Sequence, residues 1–151
     1  MKRVILSMIL AASVLLARDG ASADAALDQA ASKAVIEFMD ALRQQDLDTA
    51  MHYVGIPFVA EATVLDSEED VRAYFAAILG EADPAQMPNQ VLGVASYEAH
   101  RARANEPTQQ LHDQVLGAGD VVVGMAHDGT PRGYWLMKAN GGKPLVVGVG
   151  Y

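Results

Sequence analysis

The sequence predicts an α+β fold, a curved antiparallel sheet packed against the helices that precede it, and three observations carry that prediction. Residues 27–79 bury apolar side chains at a helical period with one strand-like interruption, residues 120–150 hold three short valine- and glycine-rich runs, and a polar, proline-containing stretch at 81–90 divides these halves. From Leu27 to Gln45, the apolar residues Leu27, Val35, Phe38, Met39 and Leu42, with Ala31 and Ala34, share one stripe. Lys33, Glu37, Asp40 and Arg43 lie off it, as in a helix with one buried face. Asp46-Leu47-Asp48 breaks the period and supplies cap-type side chains for a short second helix, which Gly55 and Pro57 stop.

Ile56–Leu65, rich in Phe, Val and Thr, reads as one strand. Ser67-Glu68-Glu69-Asp70 is a capping-box pattern ahead of a third helix that buries Val71, Tyr74, Phe75, Ile78 and Leu79 and stops at Gly80. Beyond the 81–90 loop, Val91–Arg103 reads as extended, with Tyr97–Ala104 equally helical by propensity, and Thr108–Leu116 as a short helix closed by Gly117. Asp120–Ala126, Gly133–Ala139 and Leu145–Gly150 read as strands. Asp128-Gly129 and Asn140-Gly141-Gly142 between them favour the positive φ angles of tight hairpins. In the last strand, alternation places Leu145, Val147 and Val149 on one face and Val146, Gly148 and Gly150 on the other.

Ahead of this domain, Lys2-Arg3, an apolar run Val4–Leu16 and the small residues Ala21-Ser22-Ala23 follow the order of a secretory signal peptide cleaved after Ala23. The apolar run is too short to cross a bilayer, so no stable membrane insertion is expected and residues 24–151 form one exported domain, periplasmic or secreted. Loss of Lys2, Arg3, Arg18 and Asp19 with the leader deepens the formal charge from −8 to −10. An acidic surface of that kind repels phosphate backbones, and the close pair Arg101 and Arg103 is too small a footprint for nucleic acid. With no cysteine, disulfides, thiolate metal sites and cysteine nucleophiles are excluded.

The order of elements resembles the nuclear transport factor two-like superfamily, a cystatin-like cone that includes polyketide cyclase-like proteins and ketosteroid isomerase. The resemblance rests on Phe38–Asp48 as long helix, acidic break and short helix, Pro57-Phe58 opening a strand, Ser67–Phe75 opening the third helix, and the closing Gly148-Val149. It implies a pocket between helices and concave sheet, and frequent pairing of two copies through the sheet's outer face. In the isomerase, a tyrosine of the first helix stabilises an oxyanion and an acid of the first strand moves a proton. Those positions fall here on Phe38 and Ala62, with Glu61 beside the latter, which removes the expected donor.

Candidate site residues are correspondingly few. Glu61, on the predicted strand, is a general acid or base if its carboxylate turns toward an apolar cavity. His100, with Arg101 and Arg103 nearby, is the second catalytic candidate. Phe38, Tyr74, Phe75, Tyr97 and Trp135 are the candidate pocket wall. None of His52, His100, His112 and His127 lies at zinc-site spacing from another, so no metal is expected. No serine elbow, phosphate loop or dinucleotide fingerprint signals a cofactor. The expectation is an exported, non-catalytic module that binds a small apolar ligand or a protein, with a homodimer as a candidate assembly. Its rival is a small-molecule enzyme of isomerase, cyclase or hydratase type using Glu61 or His100.

Overall fold

The computed structural model describes residues 22–151. The expected leader lies outside the described residues except for Ser22 and Ala23, which open the first helix. Helix α1 (Ser22–Arg43) realises the predicted stripe: Ala31, Val35 and Phe38 are fully buried, with Met39 and Leu42 nearly so. Arg43 ties its end down by donating to Asp40 of the preceding turn and, at 2.6 Å, to the Pro88 carbonyl. Asp46 caps α2 (Leu47–Met51) by accepting from the Thr49 amide and hydroxyl.

The single strand expected over Ile56–Leu65 is two strands, β1 (Val54–Ala60) and β2 (Thr63–Leu65). They pair antiparallel across a turn at Glu61 and Ala62, where Glu61 takes a left-handed conformation, φ 58°. Ser67 caps α3 (Glu68–Glu81) through the Asp70 amide, and the helix runs through Gly80 rather than stopping there. A short 3₁₀ turn, Pro84–Gln86, leads to β3 (Gln90–Ser96). The extended reading of 91–103 then ends early: Ser96 caps α4 (Tyr97–Arg101), the helical alternative for this stretch, and Asn105 caps α5 (Glu106–His112). Strands β4 (Val121–His127), β5 (Thr130–Lys138) and β6 (Leu145–Gly150) complete the chain, with Asp128 and Gly129 both at positive φ in the β4–β5 turn.

All six strands form one open mixed sheet in the order β2-β1-β6-β5-β4-β3. The β1–β6 pair is parallel and every other pair antiparallel. The last strand therefore lies inside the sheet. Its expected strict alternation fails, because the β5–β6 register shifts between Leu136 opposite Gly148 and Met137 opposite Val146. Val146 and Val149 face the α1–α3 core, whereas Val147 joins the cluster on the other side.

Both faces of the sheet are covered. On one side, Phe38, Phe58, Phe75 and Trp135 meet edge to face, with ring centroids 5.1–5.4 Å apart among the contacting pairs. On the other, Val59, Val122, Leu136 and Val147 lie beneath Tyr97, Val115 and Leu116 of the β3–β4 connection. Buried Asp120 pins this cap, accepting from the amides of Gly117 and Ala139, each at 2.8 Å. No described helix is long and apolar enough to cross a membrane.

Candidate functional site

Between α1, α3 and the sheet lies a cavity of about 360 Å³. Helix α1 contributes Met39 and Leu42, α3 contributes Tyr74, Phe75 and Ile78, and Met87 follows the 3₁₀ turn. Met125, Trp135 and Val149 form its floor, placed there by the inward side of β4, β5 and β6. These apolar walls make the interior unfavourable for charge. Three methionines give them adaptable side chains. Polar groups enter through Asp83 and Gln86 of the 3₁₀ turn, Arg132 of β5, and Tyr74 and Tyr151. The Asp83 carboxylate is engaged, accepting from the Ala85 amide at 2.9 Å. The Tyr74 hydroxyl is buried with no hydrogen-bond partner. Burial raises its pKa first, followed by the neighbouring Tyr151 and Glu61, so it keeps its proton at neutral pH.

Of the candidate wall residues, Tyr74, Phe75 and Trp135 line the cavity. Phe38 is fully buried behind it, against Phe75 and Trp135. Tyr97 lies on the opposite side of the sheet, in the outer cluster. Glu61 is exposed at the β1–β2 turn; its charge reaches Tyr74 and Tyr151, but its side chain is no part of the wall.

His100 also belongs to the outer face. Its ring stacks on His112 at 5.5 Å and meets Tyr134 edge-on at 4.7 Å. His100 Nε2 and His112 Nδ1 are both buried without a hydrogen-bond partner. Burial, then the facing His112, pushes the His100 pKa down to about 4, and burial lowers that of His112 as well. Beside them Asp113 accepts from the Tyr97 hydroxyl at 2.6 Å and from Arg101 Nε and Nη2 at 2.7 and 2.8 Å. Arg101 and then Tyr97 hold the Asp113 carboxyl down at about 2. This polar group braces α4 against α5 on the side of the sheet that holds Tyr97, and Tyr134, which both histidine rings touch, also lines the cavity. Among the described residues, no three His, Asp or Glu side chains gather as a metal site.

The sequence reading missed Arg132, Tyr151 and the three wall methionines. The strand expected to begin at Gly133 begins at Thr130, which carries Arg132 to the cavity. The methionines carry no signal beyond their hydrophobicity. No protein-family model matches the chain, and no curated protein matches its sequence.

Proposed function

We propose that this chain is an exported, non-catalytic small-molecule-binding protein built as a nuclear transport factor two-like cone. The observation that carries the reading is the apolar cavity between helices and sheet, whose 360 Å³ falls within the usual range of small-ligand sites. Helices ahead of a meander, and a cavity between the layers, support the cone. The placement of His100 behind the sheet and of Glu61 at an exposed turn supports binding over catalysis.

Trp135 is the chain's one tryptophan and part of the cavity wall. A compact apolar probe such as 1-adamantanemethanol should therefore change its emission saturably, and competition by a second apolar probe should reverse the change. Unaltered emission at millimolar probe would overturn the binding reading. A specific observation favours the enzyme alternative as a second reading: the Glu61 charge reaches the Tyr74 phenol. Turnover of an enolisable ketone that disappears in Glu61→Gln would install it. A homodimer, if formed, would use the outer surface of the 97–116 segment or a sheet edge, because the central outer face is already covered. Light scattering across micromolar concentrations measures that assembly.

A further inference from the structure

We propose that the cavity takes an amphiphilic carboxylate, its apolar body inside and its carboxylate held at the rim by the Arg132 guanidinium. This rests on the cavity being a binding site and adds the chemical class of its ligand. The interior formed by Met39, Phe75, Met125 and Trp135 is largely apolar, and the single buried Tyr74 hydroxyl is too little to offset the desolvation of an ionised head group, which is favoured at the rim.

Arg132 is the one cation in the cavity wall. It is exposed, and no carboxylate or other hydrogen-bonding group pairs with it among the described residues. Lys33, Arg43, Arg72, Arg101 and Lys138 each have a carboxylate within ion-pair distance, and Arg103 and Lys143, which are also without an ion pair among the described residues, do not line the cavity. In a chain of formal charge −8, an unpaired guanidinium at the mouth of an apolar cavity is a favourable position for an anionic head group.

The other groups at that mouth sharpen the orientation. Asp83 in the wall, and Glu61 beyond Tyr74 and Tyr151, repel a carboxylate placed near them and leave Arg132 as the favourable position. The Tyr74 and Tyr151 phenols both retain their protons at neutral pH, so neither adds negative charge to oppose the head group. Because Arg132 is exposed, its charge contributes a modest preference, and the apolar body supplies most of the affinity.

Two probes of the same shape separate these contributions: adamantane-1-carboxylate and neutral 1-adamantanemethanol, titrated into the purified exported protein with Trp135 emission as readout. The carboxylate should bind about five- to tenfold more tightly at low salt, with the advantage shrinking as salt rises. Arg132→Gln should remove the preference, bringing the carboxylate's affinity level with the alcohol's in the same variant, whereas Arg132→Lys should keep most of it. Equal affinity for the two probes in the parent protein, or a preference that survives Arg132→Gln, would overturn the proposal and leave the cavity as a binding site. If neither probe perturbs Trp135, both the proposal and the binding reading fall.

Discussion

Gly148 shows how tightly the outer face of the sheet is packed. A β-carbon there would lie 2.8 Å from Leu136 Cδ1, 2.9 Å from Val59 Cβ and 3.1 Å from the Val59 carbonyl oxygen. Two of these three atoms belong to a central strand's backbone or its first side-chain carbon, so relief requires moving β1. Gly148→Ala is expected to cost about 2 kcal/mol and to lower the thermal midpoint by several degrees. Gly80 is the contrast: within α3, with no atom inside 4 Å of an added β-carbon, it should accept Ala with a gain of about 0.5–1 kcal/mol. Thermal unfolding of the two variants checks both signs; a Gly148→Ala midpoint equal to the parent's would mean that β1 and β6 yield more easily than their spacing implies. Sequence reads Gly80 as a helix stop and Gly148 as a strand residue, but not the space around either, since that difference lies in what long-range pairing brings beside them. Glu61 was hidden for a related reason: glutamate is an uncommon left-handed turn residue, and a run of β-prone neighbours conceals the turn.

At the scale of elements, the α4–α5 segment is bound to the sheet through a face that does not tolerate protons. Unfolded histidine titrates near 6.5, whereas His100 in the fold is held at about 4 by burial and by His112. Between these values the unfolded chain binds more protons than the folded one. Stability is therefore full above about pH 6.5 and falls as pH drops toward 4, by on the order of 2 kcal/mol once partial solvent access is allowed for. Asp113 acts below that window: its stabilising contribution is present above its ordinary value of 3.8 and is lost as pH falls through about 2. Urea unfolding at stepped pH should show the decline from 6.5 to 4, and His100→Phe should make it shallower. An unchanged profile in that variant would assign the acid sensitivity elsewhere. Helical periodicity and cap residues made α1, α2 and α3 legible in sequence, because one buried face repeats every turn. The 91–117 stretch was not, because α4 is only five residues long and owes its position to tertiary contacts of Tyr97 and His112.

For the molecule as a whole, the α+β class was readable from helices followed by turn-punctuated strands. The sheet order was not. The β1–β6 pairing joins residues far apart in sequence, and no local pattern announces a parallel neighbour. The candidate site was legible in part for the same reason: aromatic residues on helix faces point to a cavity, but Arg132 reaches it only through the β5 register. The proposed export belongs to this scale too. Cleavage after Ala23 would remove two residues from the start of α1 and leave its core-facing stripe, which begins at Leu27, untouched. Under the proposed export, intact mass of the mature protein is expected to start at Asp24, and a mass that includes residues 1–23 would refute the cleavage.

The interior place of β6 has a kinetic consequence. Before Leu145–Gly150 docks, the β1–β2 hairpin and the β3–β5 meander have no strand in common and remain two separate pieces of sheet. Joining them requires closure of the long intervening chain, an entropic cost met before any of the resulting contacts can repay it. Pairing of β6 with β1 is thus expected late in folding, and a chain shortened before Leu145 should keep the two pieces of sheet apart.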